Sequence, residues 1–380
     1  MSGRVREAVI TIADLGEFGL IAAIADLLPG RDDLILGIGD DAAVIGAPDR
    51  RVVATTDLLI EGRHFRRDWS AAADIGGKAV ARNLADLAAM GARPTALLVG
   101  LAAPGDLAID WVLDLVRGIA DECASAGAAV AGGDTSGAET IMLAITALGD
   151  LAGAAPVTRS GARPGDVVAL AGSPGSAAAG LALLAAGLAP GTVGSASPGR
   201  AASSGRAASP GRAASPGRAA SPGRAASRGQ AASPGLAAHP DLAGLVRAQL
   251  RPKPPYAAGP QAAQLGATSM IDVSDGLIAD LGHICTASGV RIEVRSGQLG
   301  AEPVVPVAAL QAAARMLSAD WMEWVLTGGE DHALAATFPP GVVLPEPWNV
   351  VGIVAQGSGV LVDDRAWSGA GGWEHFRSQP

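Results

Sequence analysis

Gly37 to Phe65 holds the first residues whose types and spacing could do chemistry. Asp40 and Asp41 follow Gly-Ile-Gly, where a backbone can bend sharply and approach a ligand closely. Thr55, Thr56 and Asp57 close the strand-like run that begins at Arg51, and His64 follows seven residues after Asp57. Hydroxyl and carboxylate oxygens together are hard ligands. They suit Mg²⁺, which is usually held by a few carboxylates plus waters and substrate phosphates. The plain alternative is a solvated acidic turn before an ordinary strand, because such turns often carry aspartates.

Three further segments weigh against that alternative. Gly132-Gly133-Asp134-Thr135 reads as a turn at the end of a short strand. There a glycine pair would let N–H groups face a phosphate while the carboxylate holds a metal. Asp272-Val273-Ser274-Asp275-Gly276 lies between a strand and a helix. Its two acids sit at a helix N-terminus, which attracts anions, though Asp275 could simply cap the helix. Thr327-Gly328-Gly329-Glu330-Asp331-His332 is the fourth acidic turn. With Asp86 added, so many carboxylates cannot converge without cations between them. The pattern predicts several Mg²⁺ ions and a polyphosphate. GxxxxGK[ST], HRD with DFG, and GxGxxG after a strand are all missing, so the expected ATP site is of another design.

The elements that must position these residues follow from spacing. Helices are expected over Phe18 to Leu28, Asp74 to Met90, Leu107 to Ala126, Ser176 to Leu188, Asp241 to Leu250, Leu277 to Ser288 and Trp321 to Leu326. Strands are expected over Leu34 to Ile38, Arg51 to Ile60, Thr95 to Leu101, Ala128 to Ala131, Ile141 to Leu148, Asp166 to Ala171 and Ser269 to Asp272, with three more beyond Ala333. This order predicts an α+β fold. Lys78, Arg82 and Asp86 recur every four residues and read as a surface ion-pair ladder. The alternative turns Asn83 and Asp86 into the metal site.

At 380 residues the chain is expected to form two domains, 1–150 and 151–380. Seven SPGRAA-like hexads from Ser197 to Ala238 interrupt the second, in an insertion of about 190–238. Proline and glycine in every repeat oppose helix and strand, so this insertion reads as disordered. Net charge is −9 although six arginines lie in the hexads, which argues against nucleic acid as a partner. Cys123 and Cys285 lack CxxC spacing and read as reduced thiols of a cytoplasmic protein. No signal peptide and no membrane span is expected.

The motifs GIGDDAAV, TTDLLIEGRHF, NLADLAAMGARP, AGGDTSG, TRSGARPGD, DVSDGLIADLGHI and TGGEDH occur in this order. As a set they resemble the thiamine-monophosphate kinases, in the superfamily of aminoimidazole ribonucleotide synthetase and selenophosphate synthetase. The resemblance spans nearly the whole chain except the hexads. It implies an N-terminal α+β half whose sheet pairs across a homodimer, and a C-terminal α/β half. It also implies Mg²⁺-dependent transfer from ATP to thiamine monophosphate, giving thiamine diphosphate and ADP. Carried over, Asp41, Thr55, Thr56, Asp57, Asp86, Asp134, Asp272 and Asp275 are the implied metal ligands. Gly133, Asp134, Arg159 and Ser274 are the implied nucleotide contacts. His64, Glu330 and Trp373 are implied on the thiamine-phosphate side.

Three departures stand out from that pattern: Ala85 before Asp86 where many relatives have Ser, His332 where Tyr is common, and the long insertion. The acceptor is itself an ionised phosphate, so direct in-line transfer without a phosphoenzyme is expected. A selenophosphate synthetase would show a reactive Cys and a Lys near its start, and Met1 to Asp40 has neither. A non-catalytic nucleotide-binding relative is the other alternative.

Overall fold

The computed structural model describes residues 9–30, 34–38, 42–188, 240–302 and 304–367. The hexad repeats, Asp40, Asp41 and Trp373 lie outside these residues.

The first part of the chain comprises α1 (Ile12–Ala25), β1 (Leu34–Leu36), β2 (Val44–Ile45), β3 (Val53–Ile60), α2 (Ala72–Ala89), β4 (Arg93–Ala103), α3 (Ile109–Ala126), β5 (Ala129–Gly137) and β6 (Met142–Asp150). β1 and β2 form a small antiparallel pair. The other strands form a four-stranded sheet in the order β3-β6-β4-β5, with β4 and β5 parallel. α1 begins earlier than the expected Phe18 because Thr11 and Asp14 form a capping box at its start.

The helices α2 and α3 lie on one face of this sheet and pack against each other through glycines. A Cβ on Gly76 would lie 2.1 Å from the Leu115 carbonyl oxygen, and one on Gly118 would lie 1.9 Å from that of Ala73. Buried alanines do the rest of the work along α2, among them Ala79, Ala81, Ala85 and Ala88. Small side chains let this helix run through the middle of the protein, with neighbours on several sides.

The later part comprises β7 (Val167–Ala171), α4 (Ser176–Ala185), α5 (Pro240–Leu250), α6 (Ala258–Gln264), β8 (Ser269–Val273), α7 (Leu277–Ser288), β9 (Arg291–Val294), α8 (Ser296–Leu299), α9 (Val307–Leu317), α10 (Trp321–Thr327), β10 (Ala333–Phe338), β11 (Asn349–Ala355), β12 (Gly359–Val362) and β13 (Arg365–Ala366). Its seven strands form one sheet in the order β13-β12-β9-β11-β7-β10-β8. Only the β12–β9 pairing is parallel. The fold is α+β, as the element order predicts. α6, β9, α8 and α9 have no counterpart among the expected elements; their short or alanine-rich runs carry little periodic contrast.

One expectation fails in the fold itself. Gly132 to Thr135 is not a turn: β5 continues through it to Gly137, pairing Gly132 to Thr135 with Leu98 to Leu101 of β4. A Cβ on Gly133 would lie 1.9 Å from the Val99 carbonyl oxygen, so the glycine is required by strand packing.

Candidate active site

A cavity of about 560 Å³ opens between the two sheets' layers, and both parts of the chain line it. Its acids are Asp57 from β3, Asp86 from α2, Asp272 from β8, Asp275 from the loop after β8, and Glu330 from the loop after α10. Its bases include Arg63, His64, Lys78, Arg82 and Arg159.

Strand alternation decides which hydroxyl reaches the acids of the cavity. Thr55 and Asp57 are two residues apart and share the face turned toward α2. The Thr55 hydroxyl donates to Asp86 Oδ2 at 2.7 Å. Thr56 takes the opposite face, where its hydroxyl donates to the Ile145 carbonyl and accepts from Thr146. The three oxygens read together in Thr-Thr-Asp are therefore split between two faces.

The α2 residues form no surface ladder. Lys78 is buried and donates to Glu330 Oε2 at 2.8 Å and to the Gln249 carbonyl at 3.1 Å. Arg82 lies 3.6 Å from both Asp57 and Glu330. Partners from distant parts of the chain thus replace the expected neighbours four residues away. Asn83 does not enter the cavity; its amide donates back to the Ala79 carbonyl. Ala85 is fully buried away from the cavity, so the hydroxyl it lacks would have met packed side chains.

Two loops form the floor. The Glu330 N–H donates to the Ser274 carbonyl and the His332 N–H to that of Val273, joining the loops by their backbones. Glu330 and His332 both adopt positive φ, a strained choice for side chains of this size. Gly329 and Gly276 are needed at the crossing: their added Cβ atoms would lie 2.3 Å from the Ser274 and 2.6 Å from the Thr327 carbonyl oxygens. Asp275 is not the cap of α7. Gly276 holds that position, and Asp280 Oδ2 accepts the N–H groups of Ser274, Asp275 and Gly276 at 3.1 Å each. Those N–H groups are spent on Asp280, not on a bound phosphate. Asp331 has a parallel role, accepting from the Gly175 and Ala177 N–H groups at the start of α4. Neither acid was singled out from the sequence; an acid in the first helical turn, four residues past Gly276, is the signal that would have pointed to Asp280.

The charges are unevenly balanced. Burial and the neighbouring Asp272 carboxylate push Asp86 up to about 7, against the Thr55 hydrogen bond. Asp280 also rises to about 7, through burial and Asp272. Glu330 goes the other way: burial opposes its charge, but Lys78, Arg82 and Gln249 outweigh it and hold the group down to about 2. On the Asp86 side burial and neighbouring carboxylates outweigh the one nearby cation, Arg82, while Glu330 is paired with both Lys78 and Arg82. Among the described residues no three acids, histidines or cysteines stand close enough to hold an ion by themselves. The expected convergence of every acid on one point is thus corrected. The donor set still fits Mg²⁺, which takes one or two carboxylates at a time and completes its shell with water and phosphate oxygens.

His64 lines the cavity, with its Nδ1 accepting the Ile60 N–H at 3.0 Å, so the neutral ring carries its proton on Nε2. Arg159 and Ser274 also line it. Gly133 and Asp134 do not: β6 and β4 separate their strand from β3. Three strand spacings put Asp134 about 14 Å from the Asp57 strand. A smaller apolar cavity of about 120 Å³ adjoins Gly133 and Asp134, between α1, α3 and the sheet.

Comparison with known proteins gives a consistent pattern. The family model for AIR synthase related protein, N-terminal domain, matches residues 39–151. A thiamine-monophosphate kinase of Mycobacterium tuberculosis is 41% identical over 370 residues, covering 96% of this chain and 93% of its own. The crystal structure of thiamine-monophosphate kinase from Stenotrophomonas maltophilia K279a has a TM-score of 0.70 and 30% identity, covering 91% of this chain and 95% of that one. A structure described as "AaThiL complexed with AMPPCP and TMP" has a TM-score of 0.66 and 28% identity, covering 97% and 100%.

Proposed function

The chain belongs to the thiamine-monophosphate kinase family, and from that premise we propose that it transfers the γ-phosphoryl group of ATP to thiamine monophosphate, giving thiamine diphosphate and ADP. The observation that carries this reading is the cavity in which Asp57, Asp86, Asp272 and Asp275 face Arg82, His64 and Arg159. Acids for metal ions and bases for phosphates meet there in one space.

The roles divide by position. Asp57, Asp86, Asp272 and Asp275, with the Thr55 hydroxyl, would hold Mg²⁺, and Asp41 joins them by motif. When bound, Mg²⁺ screens the repulsion between two phosphate groups and neutralises charge on the transferred group. Arg159 and Ser274 contact the nucleotide. His64 donates from Nε2 to the phosphate of thiamine monophosphate, and Glu330, with Trp373 by motif, binds on the acceptor side. The acceptor oxygen is already ionised near neutral pH, so no protein base is required. In this reading the protein positions two anions in line, and no residue is phosphorylated.

Asp134 enters through a second copy of the chain. Thr56 and Asp134 belong to the sheet face turned away from α2 and α3: Leu58, Ala144, Gly100 and Asp134 pair across the strands in one row. That face presents exposed Leu58 and Leu98. Two such faces packed as a homodimer would cover them and bring Asp134 of one copy to Thr56 of the other, on the strand that carries that copy's Asp57. We take the four-stranded and seven-stranded sheets as two domains, 1–150 and 151–380. No helix among the described residues is long and apolar enough to cross a membrane. Two buried free thiols suit the reducing cytoplasm we assign to the protein.

The deciding experiment follows thiamine diphosphate formation from thiamine monophosphate and ATP, with and without Mg²⁺, and with free thiamine in parallel. Magnesium-dependent product from the monophosphate alone is expected. ATP binding or hydrolysis without that product would overturn the assignment.

A further inference from the structure

Arg82 is one of the bases facing the acids of the cavity, but the roles above assign it no contact. Its side chain is 13% exposed, held between α2 and the loop of Glu330. Its Nε and Nη1 atoms are buried and have no hydrogen-bond partner. The nearest carboxylates, Asp57 and Glu330, lie at 3.6 Å, close enough for charge attraction but too far for hydrogen bonds. Glu330 is shared, its Oε2 taking the Lys78 ammonium and the Gln249 amide while only its Oε1 faces Arg82, and Asp57 faces the proposed metal side. A desolvated guanidinium with spare donors is costly unless something completes it. Arginine presents several N–H groups in a rigid plane that matches phosphate oxygens.

Its position narrows the ligand. Asp57 marks the metal and donor side of the cavity, and Glu330 marks the acceptor side. Arg82 stands between them. We propose that Arg82 is a catalytic residue of this chain whose guanidinium grips the phosphate of thiamine monophosphate and aligns it with the incoming phosphoryl group. This rests on the kinase reading for the identity of the acceptor. The contact is made to a phosphate monoester dianion and adds no covalent step: the acceptor oxygen attacks phosphorus, the bond to ADP breaks, and Arg82 keeps its charge and its protons throughout. Lys78, buried under Glu330, fixes the carboxylate that holds Arg82 in place, so that the cation faces the cavity instead of folding back.

The test separates a phosphate contact from a packing role. Binding of thiamine monophosphate and of free thiamine is measured by calorimetry for the wild type, Arg82→Gln and Arg82→Lys, with Mg²⁺ and without nucleotide. Arg82→Gln should weaken the monophosphate about tenfold or more and leave free thiamine unchanged, as expected for losing hydrogen bonds to a charged group. Arg82→Lys should restore part of the preference. Equal weakening of both ligands, or no weakening of either, overturns the contact. So does a wild-type protein that holds the monophosphate no tighter than thiamine. Should Arg82→Gln fail to fold, the ratio of the two affinities in Arg82→Lys decides: a severalfold fall supports the contact and an unchanged ratio overturns it. A wild type that prefers the monophosphate yet never yields thiamine diphosphate would sink the kinase reading and leave the phosphate contact standing.

Discussion

Asp134 and Asp275 both follow small residues in segments that read as acidic turns, but the fold places them in opposite settings. Asp275 lies in a closed loop. Gly276 takes a φ of 124°, Asp280 gathers three N–H groups, and the loop of Glu330 is joined to it from above. Asp134 lies within an edge strand paired on one side only. The first setting is complete within one chain. The second leaves an acid on an open sheet face with exposed Leu58 and Leu98, where packing against another copy is the natural completion. Glycine next to an acid marks a place where the backbone must come close to something. What it comes close to, a loop or a neighbouring strand, depends on the partner.

The sharpest way to break this comparison is to remove one acid from the closed side. Asp272→Asn should lower kcat about a thousandfold while leaving the protein folded, since a proposed metal ligand is worth several kcal/mol in the transition state. Steady-state assays with a thermal melt alongside check it; near-normal turnover would remove Asp272 from the metal set.

The open side calls for a mixing experiment. Asp57→Asn and Asp134→Asn should each be inactive alone. Mixed and reassembled in equal amounts, they should recover about a quarter of wild-type activity, because in a two-fold dimer half the pairs are mixed and each has one intact site. A mixture as inactive as its parts would place Asp134 outside the shared site.

Two structural substitutions probe the backbones. Gly133→Ala should cost at least about 2 kcal/mol, because its methyl group meets the Val99 carbonyl and neither strand can give way. Asp280→Ala should cost about 1–3 kcal/mol by leaving three loop N–H groups unpaired. Urea unfolding of both measures this. Equal stability of Asp280→Ala and wild type would mean that water replaces the carboxylate without loss.

The smallest expected effect is on pH dependence. Asp86 and Asp280 lie at about 7 in the folded protein, above their ordinary value of 3.8. Between those values the native state binds more protons than the unfolded chain, so these groups make stability fall as pH rises from about 4 through about 7. Glu330, held to about 2, contributes stability that is present above its ordinary value of 4.5 and lost only as pH falls toward about 2. In EDTA the melting temperature should therefore be a few degrees higher near pH 5.5 than near pH 7.5. Added Mg²⁺ should shrink the difference by stabilising the ionised carboxylates. A melt independent of pH in EDTA would contradict the charge imbalance.

Much of the fold was legible locally. β3, α2, α7 and β10 follow their expected spans within a few residues, because alternation and helical spacing record which faces are buried. The candidate site was legible as residue types: Asp57, Asp86, Asp272, Asp275 and Glu330 all reach one cavity. The side chains that hold those loops in shape were not. Asp280 and Asp331 look like ordinary helix-start and turn acids, and only the folded backbone shows which N–H groups they serve. Thr56 and Thr55 are adjacent in sequence, and strand geometry alone sends them to opposite faces.

The sequence by itself determined where acids stand beside glycine, which runs become strand or helix, and the family to which the motif order belongs. These depend on neighbours a few residues apart, where propensity and spacing act directly. The tertiary structure decided the partners. Lys78 meets Glu330 across 252 positions and across the insertion, and Gln249 reaches the same carboxylate from 81 positions away. Arg82 was written into a ladder with Lys78 and Asp86, yet it sits between acids from two distant segments with donors unspent. A long charged side chain follows the strongest field its helix face encounters, and that field exists only after the two sheets have closed around it.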